Sequence, residues 1–175
     1  MTARPVYPKG RKSAKKTAYF HALGIVVKWK SRTINDNFGV HTDMEIIEIK
    51  ENKKQFLPLL LLADEQESMI DRYIDRGMMY VLVDNGVKCE CVVTDEGKGI
   101  LEIKNIATAP EYQGKGYGKA LIDFVAEKYK GKYSILQVGT GDSPLTVPFY
   151  EKSGFVRSHS IKNFFIDNYD HPIFE

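Results

Sequence analysis

A chain of 175 residues with 43% hydrophobic content can bury one sizeable core, and a single main domain is the expectation. No apolar run reaches the ~18–20 residues that cross a bilayer, and the first residues lack the apolar centre of a signal peptide, so a cytoplasmic protein with no membrane partner is expected. The net charge of +2 hides a division: residues 1–43 hold nine Lys/Arg against two Asp, a net +7, and residues 44–175 carry −5.

Taken in chain order, residues 1–18 contain Arg4, Lys9, Arg11, Lys12, Lys15 and Lys16 and little to bury, which reads as a solvated tail. A nucleic-acid arm is the competing reading of that charge, but no recognisable motif accompanies it. Phe20, Leu23, Ile25, Val26, Val27 and Trp29 offer a strand within residues 19–30, with 25–29 its apolar centre. Residues 31–43 are polar, with Asn35-Asp36-Asn37 as a turn, so residues 1–43 are read as a basic extension or tag and the main domain as 44–175. Ile46, Ile47 and Ile49 predict a strand over 45–50, and Asn52 is placed to cap a helix over 53–62. A second helix is predicted over 64–76, with Met69, Ile70, Tyr73 and Ile74 as its apolar stripe and Gly77 as its stop.

Strands over 78–83 and 87–94 are joined by Asp84-Asn85-Gly86, a strong hairpin signal. The chain's two cysteines, Cys89 and Cys91, lie two apart on the second of these, where they face one way and cannot readily bridge each other. Reduced thiols are therefore expected, and the four histidines show no ligand spacing, so no metal is expected. A strand over 100–108, a helix over 116–129, a strand over 133–139, a short helix over 144–153 and a strand from Phe155 onward complete the order. Antiparallel hairpins followed by a strand–helix–strand crossover predict an α+β (mixed α/β) fold with a mostly antiparallel sheet and flanking helices.

The densest chemical signal is Gln113-Gly114-Lys115-Gly116-Tyr117-Gly118-Lys119, between the 100–108 strand and the following helix. A glycine turn entering a helix leaves backbone N–H groups without intrahelical partners, aimed where phosphate oxygens bind well. The missing side chains let backbone approach a ligand closely, and Lys115 and Lys119 add positive charge. The spacing fits neither a Walker loop, since no Ser or Thr follows Lys119, nor the Gly-x-Gly-x-x-Gly dinucleotide fingerprint. It fits Gln/Arg-x-x-Gly-x-Gly/Ala through Gln113, Gly116 and Gly118, and so resembles the acyl-CoA motif of the GNAT superfamily of N-acyltransferases. A second signature lies about thirty residues on, in Pro148-Phe149-Tyr150-Glu151-Lys152-Ser153-Gly154-Phe155, similar to that family's Leu-Tyr-x-x-x-Gly-Phe.

The resemblance covers roughly residues 45–165 and implies a twisted central sheet with one splayed strand pair that receives acetyl-CoA. It implies that the backbone of Ile106, Ala107 and Thr108 bonds the pantetheine arm, and that N–H groups from Gln113 to Lys119 bind the pyrophosphate. The function implied is acetyl transfer from acetyl-CoA, as co-substrate, to a primary amine by direct attack. Tyr150 matches the family's proton donor to the departing thiolate, with packing beside Phe149 as the alternative. Glu102 is a candidate base, placed by strict alternation on the same side as Lys104 and Ile106, and simple pairing with Lys104 is an equal reading. Asn105, on the opposite parity, is read as orienting substrate or water, or as satisfying backbone. Asp142-Ser143 stands where many members have an asparagine, and Ser143 is the candidate contact to the cofactor arm.

The acceptor face is expected from residues 53–76 and 163–170, whose acids (Asp64, Glu65, Glu67, Asp71, Asp167, Asp170) suit a cationic amine or simply a solvated face. A CoA-binding module without turnover is the alternative class. The family's domain closes with one more strand than this sequence supplies: residues 162–166 are read as the penultimate strand, and the last is missing. Residues 25–29 are the spare candidate, which raises a strand swap within a chain or between the copies of a homodimer.

Overall fold

The computed structural model describes residues 24–29 and 44–169. Its strands are β1 Gly24–Trp29, β2 Glu45–Ile49, β3 Met78–Val83, β4 Val87–Asp95, β5 Ile100–Thr108, β6 Ile135–Gly141 and β7 Phe155–Ile161. The helices are α1 Leu57–Leu60, α2 Glu67–Ile70, α3 Tyr117–Lys128, α4 Thr146–Lys152 and α5 Phe164–Asn168. The tail over 1–18, the polar stretch 31–43 and Asp170 lie outside the described residues. All seven strands join one sheet in the order β2-β3-β4-β5-β6-β1-β7. Every neighbouring pair is antiparallel except β5 and β6, which are the parallel pair that the α3 crossover requires.

Two apolar layers sandwich this sheet. On one face Leu121, Ile122 and Val125 of α3 and Val147 and Tyr150 of α4 cover Tyr80, Leu82, Cys89, Cys91, Leu101 and Ile103. On the other, Leu60, Ile70, Tyr73 and Ile74 cover Met79, Val81 and Val92. With both faces covered, even polar residues of the middle strands are buried, and β4 carries Glu90 and Thr94 at 0% exposure. The β3–β4 hairpin turns as its residues dictate: Asn85 and Gly86 take φ of 51° and 100°, and the Asp84 N–H donates to the Gly86 carbonyl at 3.0 Å.

The α1–α2 region is less regular than its spacing suggests. Only four residues of each predicted helix are α-helical, a 3₁₀ turn over Lys53–Phe56 precedes α1, and Asn52 is left-handed with no side-chain cap. Beyond α2 the apolar stripe survives because three- and four-residue turn bonds alternate, from Tyr73 N–H to the Ile70 carbonyl and from Gly77 N–H to that of Tyr73. The Lys53 ammonium completes this stretch by donating to the carbonyls of Ile74 (2.9 Å) and Gly77 (2.6 Å).

Residues 162–166, expected as a strand, form a turn and the start of α5 instead. Asn163 adopts φ 58°, which ends extended pairing, and its carbonyl accepts the Asp167 N–H at 2.8 Å. The slot between β6 and β7 is filled by β1, which pairs with both and is the link between β7 and the rest of the sheet.

Candidate active site

Strand β5 pairs with β6 only from Ile100–Ile135 to Ile103–Val138. Beyond that register the two strands part: Val138 to Gly141 continue against β1, whereas residues 104–108 keep β4 on one side and open on the other. This wedge is lined by the backbone of Ile106, Ala107 and Thr108. At its mouth the chain passes through a 3₁₀ turn, Pro110–Tyr112, into the glycine segment and α3. Gln113 ties the segment to the strand end by donating from its side-chain amide to the Thr108 carbonyl at 3.2 Å.

Gly114 and Gly116 take φ of 73° and 90°, and a β-carbon built on either would meet nothing within 4 Å. The glycines are therefore demanded by backbone conformation, and the space beside them is open for a ligand. Gly118 differs: a β-carbon there would lie 3.2 Å from Phe149 and 3.3 Å from Thr108 Oγ1, so this glycine lets α3 seat against α4 and the end of β5. A helix N-terminus with unpartnered N–H groups, an uncrowded left-handed approach and a neighbouring open strand edge together fit an elongated phosphorylated ligand such as acetyl-CoA. Lys115 Nζ lies 5.1 Å from the Tyr112 ring centroid, and Lys119 pairs with Asp123. Tyr117, the first residue of α3, donates its hydroxyl to Asp84 at 2.5 Å.

Tyr150 sits on α4 at 7% exposure, its ring in edge contacts with Phe149 (5.1 Å) and Phe155 (5.6 Å). Burial, with the nearby Cys91 thiol and Glu90 carboxyl, raises its phenol above the ordinary value of 10, so it stays protonated. Ser143 is buried at the start of the α4 turn, where its Oγ accepts the Leu145 N–H at 3.1 Å, and neighbouring Asp142 pairs with Arg157.

Strict alternation fails along β5. The register runs from Cys89–Thr108 to Val92–Asn105 and resumes at Val93–Ile103, so Lys104 is an extra, bulged residue. Glu102 consequently shares a face with Asn105, under α1 and α2, and not with Ile106, which packs on the α3 side. Both Glu102 carboxylate oxygens are engaged, with Lys104 Nζ at 2.6 Å and Gln137 Nε2 at 2.7 Å. Asn105 donates its amide to the Leu60 carbonyl (3.0 Å) and to the Tyr73 hydroxyl (2.9 Å), and Tyr73 donates to Asp64 at 3.3 Å. Asp64 also receives a bond from Tyr169, which joins the two segments expected to build the acceptor face. Burial pushes the Asp64 carboxyl upward. Glu67 and Asp71, by contrast, are occupied by Lys54.

The residue that sequence reasoning passed over is Glu90. It reads as the polar member of an alternating strand, yet helices cover both faces of β4 and leave its carboxylate fully buried without a hydrogen-bond partner among the described residues. Burial lifts its carboxyl to about 8, with the Ala107 N–H a partial counterweight. The signal was available only in combination: a strand between two others, in a chain with helices enough for both faces.

Comparison with known proteins agrees with this geometry. Residues 75–157 match the acetyltransferase (GNAT) domain family. The chain is 32% identical over 129 residues to the uncharacterized N-acetyltransferase YvbK of Bacillus subtilis, covering 72% of this chain and 83% of that protein. Its fold superimposes on a GNAT family acetyltransferase from Elizabethkingia anophelis with acetyl-CoA bound, at a TM-score of 0.71 and 36% identity over 77% of this chain and 90% of the other. A Bacillus subtilis acetyltransferase in complex with CoA matches at a TM-score of 0.68 and 31% identity, over 76% of this chain and 90% of that one. The chain belongs to the GNAT superfamily of N-acetyltransferases, acyltransferases that use acetyl-CoA as co-substrate.

Proposed function

We propose that the protein transfers an acetyl group from acetyl-CoA to a primary amine by direct attack in a ternary complex. The observation that carries this reading is the β5–β6 wedge with the glycine turn at its mouth and Tyr150 buried alongside. The backbone of Ile106, Ala107 and Thr108 holds the pantetheine arm as an added strand. N–H groups from Gly114, Lys115, Gly116, Tyr117, Gly118 and Lys119 receive the pyrophosphate, whereas that of Gln113, expected to join them, is given to the Pro110 carbonyl at 3.3 Å. Ser143, engaged in starting α4, shapes the wall beside the arm.

Acetyl-CoA supplies the thioester; the chain's own task is to place an amine and move protons. As the nitrogen–carbon bond forms and the carbon–sulfur bond breaks, Tyr150 gives its proton to the sulfur and regains one released from nitrogen. A phenol need not titrate for this, since placement governs a general acid. Glu102 is less free to act as a base than its strand position suggests, because both carboxylate oxygens are already held, by Lys104 and by Gln137. The acceptor side is closed by α1, α2 and the segment ending at Tyr169, and its buried Asp64 suits a cationic amine. No described helix is long and apolar enough to cross a membrane, and two buried free thiols suit a reducing, cytoplasmic setting.

The test is calorimetric titration with acetyl-CoA followed by thiol release over a panel of primary amines. Saturable binding and acceptor-dependent release are expected. Binding without release from any amine identifies a non-catalytic CoA-binding module, and absence of binding removes the site.

A further inference from the structure

We propose that Lys88 and Lys115 form a subsite for a phosphate monoester, the 3′-phosphate of CoA, an inference that rests on the cofactor placement proposed above. Lys88 is the extra residue of β4 where the β3–β4 register shifts, between the Leu82–Cys89 and Val83–Val87 pairs. It is only 6% exposed, and a lysine set so deeply is rare without an acidic partner. Yet Lys88 forms no ion pair among the described residues. Its ammonium donates to the Asn85 carbonyl at 3.1 Å, in a bond that is only partly buried, and lies 3.8 Å over the centroid of the Tyr112 ring. Neither contact supplies negative charge, and an ammonium has further N–H donors to give.

The Tyr112 ring ties that ammonium to the glycine turn. Tyr112 ends the 3₁₀ turn that runs directly into Gln113, and Lys115 Nζ lies 5.1 Å from the same ring centroid. Two cations therefore border one ring at the mouth of the cofactor site, and Lys115 likewise has no ion pair among the described residues. Tyr117 meets the Tyr112 ring edge-on at 6.3 Å and donates its hydroxyl to Asp84 at 2.5 Å, which docks the β3–β4 hairpin tip on the first turn of α3. Asp84 is the carboxylate of that tip; the Tyr117 hydroxyl and the Asn85 side-chain amide (3.4 Å) hold it, and it pairs with neither lysine. Glu111 of the 3₁₀ turn is exposed, and Lys119 is taken by Asp123. The uncompensated charge beside the turn is that of Lys88 and Lys115.

CoA carries two separate anionic groups, the pyrophosphate and a monoester on the ribose a few bonds away. Backbone N–H groups of the glycine turn suit the first. The second is compact and doubly charged, and lysine ammonium groups answer it as point charges through charge-assisted hydrogen bonds. The wedge lies on the β6 side of β5 and Lys88 on the β4 side. The pantetheine arm and the 3′-phosphate thus leave the pyrophosphate in opposite directions, so the cofactor is held across the turn from both ends.

The experiment titrates the full-length parent, Lys88→Gln, Lys88→Arg and Lys115→Gln by calorimetry, with CoA and with 3′-dephospho-CoA. The parent should bind CoA about 10- to 100-fold more tightly than 3′-dephospho-CoA, the scale of hydrogen bonds to a charged group. Lys88→Gln should bring that ratio to within about threefold while its affinity for 3′-dephospho-CoA stays that of the parent. Lys115→Gln, which keeps its backbone N–H, should lower the ratio partway, and Lys88→Arg should preserve most of it. A parental ratio near one overturns the proposal before any variant is made, and is the result that a phosphate carried by the acceptor would give. A Lys88→Gln protein that keeps the parental ratio overturns it as well. So does equal loss of both ligands in Lys88→Gln and Lys88→Arg, which marks a packing role. A parent that binds neither ligand removes the cofactor site itself, and with it the reading on which the subsite rests.

Discussion

Tyr150 and Glu90 are both buried, and each predicts a separable effect. Tyr150 is held as a neutral phenol by desolvation and by the acidic groups near it, the state that the proposed proton donor needs. Tyr150→Phe keeps the ring contacts with Phe149 and Phe155 and removes only the hydroxyl. It should lower kcat by roughly 10–1000-fold with acetyl-CoA affinity little changed, measured by thiol release and calorimetry. An unchanged kcat assigns Tyr150 to packing. For Glu90, the folded carboxyl titrates near 8 and the unfolded one near 4.5. A raised acid pKa means the native state binds more protons between these values, so stability is fully present below about 4.5 and is lost as pH rises towards 8. The loss is at most about 1.4 kcal/mol per pH unit. Melting temperature should therefore fall between pH 5 and 8 in the parent and flatten in Glu90→Gln; parallel curves would place the Glu90 titration elsewhere.

At the scale of elements, the glycine turn into α3 and the bulge in β5 shape the candidate site beside the β5–β6 wedge. Gly116 holds φ at 90° beside open space, so a larger residue disturbs the approach to the ligand more than the protein's own packing. Gly116→Val should abolish acetyl-CoA binding while the far-ultraviolet spectrum and cooperative melting persist. Retained affinity in a folded variant would move the cofactor elsewhere. The glycine turn was legible in the sequence because its conformational demand is local. The bulge at Lys104 was not, because an extra residue in one strand is defined only against its partner, and it carried Glu102 to the opposite face from the one alternation assigns. The shortness of α1 and α2 has a similar origin: the apolar stripe specifies which residues turn inward, and successive tight turns satisfy it as well as a continuous helix.

At the scale of the whole molecule, the N-terminal segment Gly24–Trp29 stands inside the sheet and is paired on both edges. A boundary at Met44 would leave that strand on the far side of the division. Deleting residues 1–18 should leave binding, turnover and melting temperature unchanged, since that stretch carries charge and little to bury. Deleting residues 1–43 also removes β1, leaves β7 without its strand partner and exposes β6, and should lower the melting temperature by several degrees or cause aggregation. Equal stability of the two truncations would show β1 to be dispensable. The same strand pairings form if β1 is exchanged between two copies, and a dimeric mass that disappears with residues 1–43 would identify that arrangement.

What the sequence determined by itself was whatever short-range chemistry encodes: the hairpin at Asn85-Gly86, the glycine turn, the strand and helix order around it, and the family through two spaced motifs. These depend on φ preferences and apolar periodicity within a few residues. Tertiary structure alone decided that β1 lies between β6 and β7, that residues 162–166 turn at Asn163 into a helix, and that Glu90 is sealed from water. Strand order, the choice between strand and helix in a short segment, and the burial of a polar side chain all depend on what packs against them from distant parts of the chain.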